Sequence, residues 1–185
     1  FGIYLLSGKE RLLDQAKRIL KVFFKEKDYT RLFHVVTVAH HTFTSYIAGQ
    51  CTEAVILGSL CTVGMLIFRF PYAPMVGALV GATALLPIIG AYIGAIVGAF
   101  MILTVSPGQV IPFMCFLVIL QQLEGNLIYP KVVGGSVGLP GMWILAAVTV
   151  GGGLWGIPGM LIGVPMTATV YKLFSEYIHI REKER

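Results

Sequence analysis

The chain has 185 residues, 56% hydrophobic and 12% charged, with a mean hydropathy of +0.81 and a net charge of +5. A soluble domain carries roughly 25% charged residues, so this composition excludes a soluble domain. Apolar runs of about 20 residues mark membrane spans, and the chain reads as an all-α, polytopic integral membrane protein. Eight of its 14 Lys and Arg lie between Lys9 and Arg31, and four more are Lys172, Arg181, Lys183 and Arg185. Basic residues flanking spans stay on the cytoplasmic side, which places both ends in the cytoplasm. No aromatic-interleaved basic motif accompanies them, so nucleic acid is not an expected partner.

Residues 1–7, FGIYLLS, read as the end of a truncated membrane span. Residues 8–45 read as basic, amphipathic helices at the interface or in the cytoplasm. Within them, 8–27 carries Leu12, Leu13, Ala16, Ile19, Leu20, Phe23 and Phe24 at helical spacing. Its basic face suits lipid headgroups, and its apolar face would equally suit a neighbouring helix. A second helix is expected from Thr30 to Phe68, roughly 58 Å long, with either its first half outside the bilayer or a bend near Gly49. His34, Thr37, His41, Thr44 or Ser45, and Thr52 form a polar stripe along it.

Residues 46–175 form the expected transmembrane transport domain, followed by a charged cytoplasmic tail at 176–185. Four full spans are expected at 47–68, 88–105, 109–128 and 154–173. Two short half-helices, 75–86 and 139–150, are interrupted by Pro87 and Gly90 and by Gly151, Gly152 and Gly153. Paired short segments broken by Gly or Pro point to a transporter's central site. Irregular backbone at membrane depth is tolerated only inside protein or along a water-filled cavity, so both breaks should lie near a pathway. Four crossings return the chain to the side it started from, as the charge bias requires.

Glycines at four-residue spacing, Gly77 with Gly81 and Gly90 with Gly94 and Gly98, allow close helix packing. GGGLWG at 151–156 fits a dinucleotide fingerprint only formally, because both flanks are membrane-embedded and no strand precedes it. His34 and His41 lie about 10 Å apart along a helix, too far to share one metal ion. Cys51, Cys61 and Cys115 show no disulfide or zinc spacing and read as small buried hydrophobes. No nucleophile–base pair rises above chance. An enzyme, a cofactor and a metal site are therefore not expected.

The most polar stretch is QQLEGNLIYPKVVG at 121–134, set between two uncharged runs, Phe70–Leu123 and Val132–Tyr171. An ionisable group at membrane depth costs at least about 2.5–3.5 kcal/mol and is functional by default. Gln121, Gln122, Glu124, Asn126, Pro130 and Lys131 are the expected substrate or ion pathway. Gln121, Glu124 and Ile128 share one helix face, and Gln122 and Asn126 the adjacent one. Glu124 and Lys131 could pair across the turn. The competing account is a helix end that caps itself. Glu53 reads as an interfacial residue.

From this cluster onward, QQLEGNLIYPKVVGGSVGLPGMWILAAVTVGGGLWGIPGMLIGVP resembles the C-terminal signature of the autoinducer-2 exporter (AI-2E) family of bacterial membrane proteins. SYIAGQ at 45–50 and LLPIIGAYIGAI upstream agree with it. The resemblance runs from about Tyr29 to the end, and family members are about twice this length. It implies a multi-pass transporter of the cytoplasmic (inner) membrane and a homo-oligomer. It also implies one of two activities, export of a small polar metabolite such as autoinducer-2 or sodium–proton antiport. In the first, the amides Gln121, Gln122 and Asn126 bind hydroxyl groups; in the second, Glu124 alternates between proton and sodium. A non-transporting scaffold built on the glycine faces is the third possibility, and it predicts no cavity at the cluster.

Overall fold

The computed structural model describes residues 26–134 and 138–183. The expected span end at 1–7 and nearly all of the amphipathic helix at 8–27 lie outside the described residues. The chain divides into two compact units, Phe1–His40 and His41–Arg185. The described part of the first unit is the opening of helix α1, Glu26–Ile67, where Leu32, Phe33, Val35 and Val36 are exposed.

The helices are α1, α2 (Ala73–Ala84), α3 (Ile89–Leu103), α4 (Val110–Leu123) and α5 (Gly141–Lys183). No strand occurs among the described residues. α1 runs through Gly49 as one continuous helix of 42 residues, about 63 Å. Val55, Leu66, Ile67, Ile96, Ile111 and Ile119 all lie more than half exposed. A water-soluble surface does not carry apolar area on this scale; lipid does accept it. The chain is a polytopic, all-α membrane protein.

α2 and α3 fold back on each other as a hairpin. A Cβ at Gly90 would strike the Thr83 carbonyl, one at Gly94 would meet Val80, and one at Gly98 would meet Val76 and Phe113. The partner number falls as the glycine number rises, which defines antiparallel arms. α3 has 15 residues, about 22 Å, so the expected full span at 88–105 is a shorter arm than the ~30 Å hydrocarbon core requires. α1 packs on α2 in the same antiparallel sense, with Ala54 against Gly81 and Gly58 against Gly77.

α5 has 43 residues, about 64 Å and twice what one membrane crossing needs, but does not run as one helix. Trp155 (φ −133°) and Gly156 (φ 61°, ψ −140°) leave the helical region, and only glycine adopts the second conformation readily. Beyond them the chain doubles back, bringing Gly159 onto the Gly151 carbonyl and Gly163 onto that of Ala147. The expected break at Gly151, Gly152 and Gly153 is therefore displaced. Those three glycines are helical, and the turn comes at Trp155–Gly156.

Two apolar cores result. One joins Leu57, Cys61 and Met65 of α1 to Val76, Ile102, Phe113 and Leu117. The other joins Tyr46 to Val133 and to Ala147, Val148, Val164 and Ala168 of the two α5 arms. Cys61 is buried in the first core, but Cys51 and Cys115 are exposed, contrary to the expectation for all three.

Candidate functional site

Between the two cores, the buried face of α1 turns polar. Gln50 and Glu53 are 4% and 3% exposed. Gln50 donates from Nε2 to the Ala84 carbonyl at 3.2 Å, which satisfies one of the orphan acceptors at the end of α2 and ties α1 to the α2–α3 turn. Its Oε1 has no hydrogen-bond partner among the described residues, and neither has Glu53 Oε2.

Glu53 and Glu124 stand on the wall of one cavity, close enough for their carboxyl groups to interact electrostatically. Two carboxylates sharing a site repel, and a proton or a cation between them relieves the repulsion. Tyr129 stands within electrostatic range of both. Backbone geometry explains how one segment supplies Glu124 and Tyr129 together. Residues Glu124–Ile128 and Pro130–Gly134 form two wide π-helical turns. In an α-helix, positions five apart point about 140° away from each other; a π turn closes on the fifth residue and brings them toward the same side. Such turns recur at functional sites.

These groups line a cavity of about 310 Å³. Its polar wall is Gln50, Glu53, Gln121, Glu124 and Tyr129; its apolar wall includes Leu57, Val80, Ala84, Leu86, Pro87, Ile88 and Ile144. None of the described lining residues is Lys, Arg or His, so no side-chain cation there offsets the two carboxyl groups. The donors are all oxygens or amides, the chemistry that suits hard cations and hydroxylated solutes. Ile88, at the hairpin tip, has φ 69° and ψ −56°. A β-branched residue at positive φ is a true outlier, and strain of this kind concentrates at ligand sites.

Of the six expected pathway residues, Gln121 and Glu124 line the cavity. Gln122 and Asn126 are exposed and bond to each other, Asn126 Nδ2 donating to the Gln122 carbonyl at 2.8 Å and to its Oε1 at 3.2 Å. Pro130 and Lys131 are exposed as well, and no ion pair joins Lys131 to Glu124 among the described residues. Of the expected breaks, Pro87 lines the cavity, and Gly90 lies in the first turn of α3 against Thr83. The second break does not reach it; Trp155 is 72% exposed and no residue of 151–156 is among the lining. Gly77, Gly81, Gly94 and Gly98 are buried at helix contacts.

Glu53 is the residue sequence reasoning missed. It is buried on the cavity wall that also carries Glu124. The expected polar stripe was the opposite side of α1, since His34, Thr37, His41, Thr44 and Thr52 are all exposed. The available signal was the spacing of Tyr46, Gln50, Glu53 and Leu57, which shares one face at intervals of four, three and four.

A family model for AI-2E family transporters matches residues 1–179. The chain is 33% identical over 136 residues to YrrI of Bacillus subtilis, a candidate transport protein, covering 74% of this chain and 38% of YrrI. It is 28% identical to YueF of the same organism, also a candidate transport protein, over 96% of this chain and 47% of YueF. It is 29% identical to PerM of Escherichia coli K12, a candidate permease, over 90% of this chain and 46% of PerM. The chain thus spans less than half the length of these relatives. No solved structure gives a significant match.

Proposed function

This chain belongs to the AI-2E transporter family, and from that premise we propose that it forms part of a secondary transporter of the bacterial inner membrane whose exchange site is the Glu53/Glu124 pair. The observation that carries the reading is a pair of carboxyl groups, one of them buried, on the wall of one cavity in a membrane helix bundle. Ionisable groups at this depth are costly and mark ion or proton pathways. A pair that needs either a proton or a cation between its members is a competition site for the two. Sodium entering the pair would displace the proton; Gln50 Oε1 and the Tyr129 hydroxyl would complete an oxygen shell. This favours the sodium–proton antiport reading, with Glu53 supplying the second acid that the sequence alone lacked.

A second reading, export of a small polar metabolite such as autoinducer-2, draws on the amides of Gln50 and Gln121 in a cavity of about 310 Å³. The same carboxyl pair would then couple solute movement to protons. A scaffold without transport predicts no cavity at the cluster, and the cavity favours transport over it. Assembly into a homo-oligomer and cytoplasmic placement of both ends belong to the same proposal, with the lipid bilayer around the exposed apolar faces.

Everted membrane vesicles carrying the full-length protein test the reading through sodium-triggered proton release, followed with a pH-sensitive dye. Glu53→Gln and Glu124→Gln should each reduce the signal to background, and Gln122→Ala should not. Full exchange in both glutamine variants would sink the antiport reading. Loss of metabolite uptake but not of sodium exchange would favour the second.

A further inference from the structure

The polar character of α1 does not stop at the cavity. Thr42, Tyr46, Gln50 and Glu53 follow one another at intervals of four, four and three residues, so they lie along one helix face. They are 0%, 2%, 4% and 3% exposed. Each carries an atom with no hydrogen-bond partner among the described residues: Thr42 Oγ1, the Tyr46 hydroxyl, Gln50 Oε1 and Glu53 Oε2. Buried polar groups are nearly always satisfied, by protein or by ordered water. Four unsatisfied groups in one file are therefore a line of sites for water.

The threonines elsewhere make the contrast. Thr52, Thr62, Thr149 and Thr169 each donate to the carbonyl four residues earlier, at 2.7–2.8 Å, the usual resolution for a hydroxyl on a helix. Thr42, the deepest-buried threonine, does not. The titratable groups facing Tyr46 are Tyr129, from the wide turn, and Glu53 on its own helix; Glu53 in turn faces Glu124. Neither Thr42 nor Tyr46 lines the cavity.

We propose that this face of α1 is a hydrated proton path from Thr42, through the Tyr46 hydroxyl and past Gln50, to the Glu53 carboxyl. Its first half, at Thr42 and Tyr46, lies outside the cavity that admits the cation or solute, and it joins that cavity at Gln50 and Glu53. The proposal rests on the carboxyl pair as the exchange site. The helix rises about 16 Å from Thr42 to Glu53, and each gap of about one turn is bridged by water. The proton moves by relay. The Tyr46 oxygen accepts one from the water before it and releases its own O–H proton to the water after it, so its net charge is unchanged. Gln50 Oε1 only orients a water. Glu53 receives the proton, and the pair releases it when a cation enters.

The test uses the full-length protein in lipid vesicles and the infrared carbonyl band of its protonated carboxyl group, followed on transfer into heavy water. Glu53→Gln identifies the band by removing it. In Tyr46→Phe, and independently in Thr42→Val, deuterium should enter that band about tenfold more slowly, equivalent to a barrier higher by about 1.4 kcal/mol. Gln122→Ala should exchange as the unaltered protein does. Exchange at the unaltered rate in both Tyr46→Phe and Thr42→Val overturns the path and leaves the carboxyl pair standing. If no band responds to Glu53→Gln, the pair itself falls and the path with it.

Discussion

The two hairpins share a sequence pattern and differ in what they do. Each has two apolar arms, glycines at the crossing points and a turn forced by unusual backbone, at Ile88 (φ 69°) in one and Gly156 (φ 61°) in the other. The α2–α3 tip is held from outside. Gln50 bonds the last carbonyl region of α2, and Leu86, Pro87 and Ile88 close one wall of the cavity. The tip of α5 has no such tie and is exposed from Gly153 to Pro158. A broken apolar segment in a membrane protein is therefore not a site by itself. It becomes one where a neighbouring helix brings polar side chains to its tip, and on α1 those are Gln50 and Glu53.

Breaking the arms should cost most and should do so in both hairpins. Gly90→Ala places a methyl on the Thr83 carbonyl, and Gly159→Ala places one on the Gly151 carbonyl. Backbone cannot yield as a flexible side chain does, so each should destabilise by about 1–3 kcal/mol. Thermal unfolding in detergent measures this. Only Gly90→Ala should also abolish transport, because only that hairpin's tip lines the cavity; equal loss of transport in both, at equal stability, would erase the distinction. Next in size is Gln50→Leu. It removes one hydrogen bond and leaves the Ala84 carbonyl without its donor, at about 1 kcal/mol. Transport should fall more than stability, and an unchanged transport rate would show that the tie does not position the tip.

How much of this was legible in the sequence follows from which signals a membrane interior preserves. The all-α membrane class and the two interrupted segments follow from composition, glycine and proline, which survive any environment, and the family resemblance follows from the motif at 121–165. The inward face of α1 did not. In water, apolar periodicity separates inside from outside; in lipid both sides of a helix are apolar, as Val55 and Leu57 illustrate with one exposed and the other buried. Nothing in the apolar pattern therefore separates buried Glu53 from the exposed His34–His41–Thr52 stripe. The turn of α5 was misplaced because three consecutive glycines suggest a break, whereas Gly151 serves close contact with Gly159 and the positive φ falls on Gly156. The π turns at 124–134 leave no periodic trace, so the sequence does not separate Gln122 and Asn126 from Gln121 and Glu124.

The smallest effects lie where the two hairpins' surroundings differ least from open space. A methyl at Gly153 meets nothing within 4 Å, and glycine inside a helix costs about 0.5–1 kcal/mol relative to alanine. Gly153→Ala should therefore leave transport intact and raise stability by up to that amount, read as a small upward shift in the unfolding midpoint. The outer polar pair should be quieter still. Asn126→Ala removes an exposed amide that among the described residues bonds Gln122, and exposed substitutions of this kind change stability by about 0.5 kcal/mol or less. If Asn126→Ala nevertheless cut transport as deeply as Glu124→Gln, the working surface would be the outer face of the 121–131 segment, and the Glu53/Glu124 cavity would have to be read as a packing feature of the bundle.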